Sequence, residues 1–185
     1  MVRFAVRWWV VVLSLCLLPL PAFAICDPSG CWILASDYGV TCNGTTDDAT
    51  SLQNAVNAAK TGTQGFTLMM PEPPSGGSGK LGSTVTANNV NGFRLVGNGV
   101  NFTRSGNNST PMFLCQDCRQ VDMGHFQVTV TNATPLLSVF QFENGSGSIV
   151  TPTTNYVHDV FIECTNGGCT NAIRMAVVSC DHHRD

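Results

Sequence analysis

Apolar positions along this chain follow three regimes in turn. The first is a run from Trp8 to Leu20, preceded by Arg3 and Arg7 and followed by Pro21-Ala22-Phe23-Ala24. A basic start, a short apolar stretch and a small-x-small ending form the pattern of a removable secretory signal. The run is shorter than the roughly 20 residues that a membrane-spanning helix needs. In the second regime Ala49, Leu52, Val56 and Ala59 recur at helical intervals, with Thr46-Asp47-Asp48 ahead of them and Gly62 behind. That spacing predicts one amphipathic helix over Asp47 to Ala59, with Asp47 and Asp48 acting as structural caps on its unpaired N-terminal amides.

From Gly65 onward the third regime sets in, with short apolar bursts separated by Gly, Asn and Pro clusters. They are Phe66 to Met70, Phe93 to Val96, Met112 to Leu114, Val121 to Val130, Leu136 to Phe142, Val157 to Ile162 and Ile173 to Val178. A further short strand is predicted over Ile33 to Val40, closing in the turn Asp37-Tyr38-Gly39. Within the fourth burst Phe126, Val128 and Val130 alternate with Gln127 and Thr129, the period of a half-buried strand. The Pro/Gly/Ser-rich stretch Pro71 to Gly82 reads as a flexible surface loop. Phe93-Arg94-Leu95, Val121-Asp122-Met123 and Val157-His158-Asp159 recur as a loose repeat, with a loop insertion in the last interval.

Composition sharpens this picture. Removing 24 of 185 residues leaves 161, the size of one domain, and losing Arg3 and Arg7 moves the net charge from −3 to −5. Nothing basic remains to grip a nucleic acid. No later stretch is long and apolar enough to span a membrane. Of nine cysteines, Cys16 falls in the leader and eight remain, an even number that in an exported chain favours disulfides. Cys26 with Cys31, Cys115 with Cys118 and Cys164 with Cys169 are the close pairs. A zinc site on the last two pairs is the weaker alternative, because the compartment is oxidising. Export places the product in the secreted or periplasmic space.

Several segments carry a family resemblance. Ala35-Ser36-Asp37-Tyr38-Gly39-Val40, Asn43-Gly44-Thr45-Thr46-Asp47-Asp48, Leu52-Gln53-Asn54-Ala55-Val56 and Phe66-Thr67-Leu68-Met69-Met70-Pro71 together resemble the opening of the pectate-lyase-like superfamily, which includes rhamnogalacturonase- and epimerase-like proteins and polygalacturonase relatives. The resemblance is carried by Ile33 to Pro71. It implies an all-β fold, a right-handed parallel β-helix with one N-terminal capping helix, truncated at its C-terminus because no closing cap follows the last burst. The expected organisation is a signal peptide over 1–24, an N-terminal strand and capping helix over 25–64, β-helix coils over 65–180 and a disordered tail over 181–185.

Chemistry is harder to find. Polysaccharide cleavage in such folds needs carboxylates converging on one face. Asp122 and Asp159 are the best candidate pair, since they sit in two of the aligned bursts. Gly124-His125 runs into Phe126 rather than completing the Gly-His-Gly of polygalacturonase relatives, and no cluster of acidic calcium ligands is visible. His125 and His158 read as single imidazoles on separate strands. The expectation is therefore an exported protein that acts on or binds polysaccharide, lacking its catalytic coils. It needs no metal and no cofactor, and its partner is a polysaccharide or cell-surface glycan. If active, it would be a lyase or glycoside hydrolase. The alternative is a noncatalytic glycan-binding or adhesive solenoid module.

Overall fold

The structure is a computed structural model, and it describes residues 25–27, 30–60, 66–75, 77–105, 109–131, 134–145, 155–165 and 167–176. The expected leader and charged tail lie outside the described residues. Strands β1 (Ile25–Asp27) and β2 (Gly30–Leu34) form an antiparallel hairpin. A 3₁₀ turn over Ala35–Tyr38 then ends at Gly39, whose φ of 85° lets the chain reverse toward helix α1 (Ala49–Lys60). Ten strands follow: β3 (Phe66–Met69), β4 (Gly79–Lys80), β5 (Val85–Asn88), β6 (Arg94–Val96), β7 (Asn101–Ser105), β8 (Phe113–Gln116), β9 (Asp122–Thr131), β10 (Phe140–Glu143), β11 (Tyr156–Cys164) and β12 (Ile173–Ala176).

These strands make two sheets. One runs β1-β2-β3-β6-β9-β7-β4, with β11 also paired to β9; the other runs β12-β10-β8-β5. Every pairing except β1 with β2 is parallel. The expected all-β, right-handed parallel β-helix is corrected by this arrangement. The sheets are open, with free edges rather than a closed wall, and the helix is part of the packed body, which makes the class mixed α/β. Its apolar stripe is the physical reason: Leu52, Ala55 and Val56 are buried, so the helix supplies a layer of core rather than a lid over coils.

Two other expectations change. Ile33 to Val40 is a strand only as far as Leu34. The Pro71 to Gly82 stretch is less loop-like than its composition: Gly79 and Lys80 pair with Phe102 and Thr103, and Leu81 is buried. Four strands lie outside the predicted bursts, β1, β4, β5 and β7, because their sequences are short or polar. In β7 the buried guanidinium of Arg104 interrupts the apolar pattern, donating from Nη1 to the Pro111 carbonyl at 2.8 Å and from Nη2 to Thr110 Oγ1 at 3.1 Å.

The core lies between the sheets. Phe102, Phe113, Phe126 and Phe140 form its aromatic centre, with Phe102 edge-on to Phe113 at 5.4 Å and to Phe126 at 5.3 Å, and Phe113 stacked on Phe140 at 5.4 Å. Such pairs each add about 1 kcal/mol beyond the area they bury. At the end of the core beside α1, Leu52 and Val56 of the helix meet Val85 and Ala87 of the second sheet and Leu95 and Met123 of the first, leaving a gap of only about 10 Å³. That is about the room one water needs, so it is a packing defect rather than a ligand site.

Disulfides Cys115–Cys118 and Cys164–Cys169 clip the chain just beyond β8 and β11. Cys31 is also disulfide-bonded, and Cys26 is its register partner across the hairpin. Among the described residues Cys42 alone is a free thiol, and it is buried.

Asp47 and Asp48 precede the first helical turn instead of sitting in it. Asp47 Oδ1 accepts from the amides of Ala49 at 3.0 Å and Gly82 at 2.9 Å, tying the helix start to the end of β4. Asp48 is fully buried, and its carboxylate faces backward. Oδ1 accepts from the Thr41 amide at 2.8 Å and the Thr41 hydroxyl at 3.1 Å, while Oδ2 accepts from the Cys42 amide at 3.0 Å. Its own amide donates to the Lys80 carbonyl at 2.8 Å. Truncating this side chain strands the buried Cys42 amide, while the amide of exposed Thr41 can turn to water; an orphan of the first kind costs about 1–3 kcal/mol. Asp48→Ala is therefore expected to lower the unfolding free energy by about 2 kcal/mol in urea titrations followed by circular dichroism. A loss below about 0.5 kcal/mol would show that water replaces the carboxylate.

Candidate functional site

Strand β9 is ten residues long and serves three neighbours. Its first part, Asp122 to Gly124, pairs with β6, and its last part, Gln127 to Thr131, pairs with β7. Strand β11 runs along its whole length. Between the two halves β9 turns a corner at His125, whose φ is 63°. β11 turns at the same level through Asp159 (φ 51°), and the β6–β7 junction turns through Asn98 (φ 49°) and Gly99 (φ 77°). His, Asp and Asn are the non-glycine types that best tolerate this left-handed backbone, at a cost of about 1 kcal/mol each. The ladder pairs His158 with Gly124 and Val160 with Phe126, so His125 and Asp159 face each other at the bend without pairing.

This geometry gathers five side chains. Arg94 Nε lies 3.1 Å from Asp122 Oδ2, and Asp122 Oδ1 lies 2.8 Å from His158 Nε2. The latter approach is off the line of the N–H, so it is charge attraction rather than an aligned hydrogen bond. On its other edge His158 Nδ1 is 3.0 Å from Asp159 Oδ2, and the same oxygen is 3.5 Å from His125 Nδ1. The two imidazoles meet edge to face with centroids 5.0 Å apart. A single chain of charges, Arg94–Asp122–His158–Asp159–His125, thus crosses β6, β9 and β11.

Gly124 makes the arrangement possible. A Cβ at that position would lie 2.8 Å from His158 Cε1, 2.9 Å from Nε2 and 2.7 Å from the His158 carbonyl oxygen. All three are closer than a side-chain carbon tolerates, so the His158 ring occupies the space that a residue other than glycine would fill. Beside the cluster Gly99, His125, Phe126, Gln127, Asp159, Val160 and Phe161 line an open hollow of about 400 Å³.

The two carboxylates singled out from the sequence, Asp122 and Asp159, both belong to this cluster, but the assumed alignment was two residues out. Asp122 has Tyr156 as its register partner, and Asp159 sits opposite His125. The carboxylates do not face each other across a gap; they bracket His158. Reading His125 and His158 as unrelated imidazoles is corrected by the same register. The interval from Asp122 to Tyr156 includes the insertion between β10 and β11, which conceals the offset in the sequence. The signal available was Gly124, a glycine inside an otherwise regular strand, which marks a close approach of another group. Asp47 and Asp48 lie elsewhere, at the start of α1.

Electrostatics follow from the distances. The hydrogen bond to Asp159 and, after it, the attraction of Asp122 raise the His158 pKa above its ordinary 6.5. The same hydrogen bond, helped by the charge of His125, holds Asp159 below the ordinary carboxylate value. Both groups face solvent, so screening keeps the energies small. The interaction is present between the depressed midpoint of Asp159 and the raised midpoint of His158. It fades as pH falls through the first or rises through the second.

Comparison with protein families, with curated proteins and with solved structures finds no match for this chain, so nothing identifies it as a member of the pectate-lyase-like superfamily. Among the described residues no helix is long and apolar enough to cross a membrane. The disulfides and this lack of a long apolar helix are compatible with an oxidising, extracellular setting.

Titrating the imidazole protons by NMR is expected to show His158 ionising at higher pH than in the Asp159→Asn variant, whose midpoint falls back toward 6.5. Gly124→Ala is expected to move the midpoint the same way by pushing the ring off Asp122. An unchanged midpoint in both variants would mean that the ring leaves the cluster in solution.

Proposed function

We propose that this is an exported protein that binds a polysaccharide or cell-surface glycan in the hollow beside His158. The observation that carries the reading is the pairing of a polar cluster with an exposed aromatic ring on one strand. Asp159 and Phe161 both line the hollow, and Phe161 is 63% exposed. Sugars are recognised by such pairs, with carboxylates and imidazoles accepting or donating hydrogen bonds to hydroxyls and an aromatic ring covering the apolar face of the pyranose. Tyr156, 57% exposed on the same strand, offers a second ring.

The charge balance supports a neutral or weakly acidic glycan over a dense polyanion. The chain is net acidic, and Arg94 is the one guanidinium in the cluster, already paired with Asp122. Binding without turnover is the simpler form of the reading, because Asp122 and Asp159 are both engaged by His158 rather than poised across a glycosidic bond. Turnover would place the protein with the lyases or glycoside hydrolases. Export rests on the N-terminal pattern Arg3 to Ala24 together with the disulfides.

Affinity electrophoresis through gels containing neutral and acidic polysaccharides tests this directly, with reducing-sugar release and ultraviolet absorbance followed in parallel. Retardation by a neutral glycan, weakened about tenfold or more by Phe161→Ala and without product formation, is the expected outcome. Product formation would move the protein to the enzymes. Free migration through every gel would reject the glycan reading.

A further inference from the structure

We propose that His125, His158 and Asp159 form a binding site for a divalent transition-metal ion of the zinc class, with the two Nδ1 atoms and the Asp159 carboxylate as ligands. The inference uses side chains of the glycan hollow, but it stands on donor geometry alone and survives or fails separately from sugar binding.

Each of the three residues offers a ligand atom, and all these atoms lie within 4.8 Å of one another. Two of the spacings are informative: Asp159 Oδ2 is 3.0 Å from His158 Nδ1 and 3.5 Å from His125 Nδ1. A tetrahedral ion with bonds of about 2.0–2.1 Å holds its ligands about 3.3 Å apart, so the observed separations bracket what such a site requires. The third spacing, between the two imidazole nitrogens, is within 4.8 Å, and turning the exposed rings about their side-chain bonds would close it on the ion. Two imidazoles and one carboxylate suit zinc, copper or nickel, whereas calcium and magnesium favour sites built wholly of oxygen.

The surroundings supply what a metal-binding histidine ordinarily has. A ligating imidazole directs its second nitrogen to a carboxylate, which fixes the ring and the tautomer. Here Asp122 stands 2.8 Å from His158 Nε2, off the line of the N–H until the ring turns slightly, and is itself held by Arg94 at 3.1 Å. With its proton on Nε2, His158 presents the Nδ1 lone pair to the ion. Gly124 leaves space for the ring in that pose. The backbone contributes too, since His125 and Asp159 meet only because β9 and β11 both turn through left-handed residues at the same level. Three protein ligands beside an open hollow leave a fourth position facing solvent, the form of sites that bind water or a further ligand.

The test uses the full chain, stripped with a chelator and titrated with zinc chloride by calorimetry and with cobalt chloride by visible absorption. One ion per chain is expected, with the intense cobalt bands of four-coordinate geometry and paramagnetically shifted imidazole resonances in the unaltered protein. His125→Ala and His158→Ala should each weaken binding at least about 100-fold, and Asp122→Asn about 10- to 100-fold. The other two histidines, His182 and His183, lie together near the C-terminus, so the double change His182→Ala/His183→Ala serves as the control and should leave the titration intact. Binding that vanishes in this control, or that persists in both His125→Ala and His158→Ala, would overturn the proposal. So would no heat and no absorption change in the unaltered protein, a result that needs no variant to fold. Zinc binding without glycan binding would reject only the sugar reading; glycan binding untouched by chelator in a protein that takes up no zinc would reject only this one.

Discussion

The architecture depends on the hydrogen-bonding capacity of one strand. β9 satisfies its backbone on one side with β6 and then β7, and on the other with β11 along its length. A straight strand could not serve β6 and β7 in sequence, because those two are joined by the corner at Asn98-Gly99. The left-handed turn at His125 lets β9 follow that corner while Met123 and Phe126 stay buried on either side of it. The strain at His125, Asn98 and Asp159 is small beside the ladder it preserves, since each unpaired buried amide would cost more than the left-handed backbone does.

That constraint also explains why the polar cluster lies where it does. A corner interrupts the in-and-out alternation of side chains, so residues at the bend leave the core-facing register and project toward solvent. Two adjacent strands turning at one level project two such residues side by side. His125 and Asp159 are brought together by the fold rather than by sequence proximity, and His158 joins them because Gly124 leaves its ring a place. Arg94 and Asp122 extend the group onto β6 through an ordinary cross-strand ion pair.

Much of the layout was legible in the chain. The helical spacing of Ala49, Leu52, Val56 and Ala59 found α1 to within two residues, and the alternation of Phe126, Val128 and Val130 found the buried face of β9. The class of fold was not legible, because periodicity reports which face of an element is buried and says nothing of whether its sheet closes. Strands such as β5 (Val-Thr-Ala-Asn) hide for a different reason. Gln53 of α1 clamps β5 from its free edge, donating to the Thr86 carbonyl at 2.8 Å and accepting from the Thr86 amide at 2.7 Å. A strand held partly by a side chain from a distant helix needs fewer apolar residues of its own. For the site, Asp122 and Asp159 were found as carboxylates on aligned strands. Their link through His158 was not, because the insertion before β11 shifts the register by two residues.

Cys42 has a further consequence for how the molecule matures. Its thiol is buried, and loss of solvent, reinforced by the charge of Asp48, pushes its pKa up to about 12. Disulfide exchange is carried by the thiolate, so this upward shift holds Cys42 in the unreactive thiol form at neutral pH. Once Asp48 has closed over the Thr41 and Cys42 amides, this sulfur drops out of the shuffling that pairs the other cysteines. The order of events during oxidation then matters: a chain that packs α1 early spares itself the mispaired isomers that Cys42 would otherwise seed, while one that oxidises before packing does not.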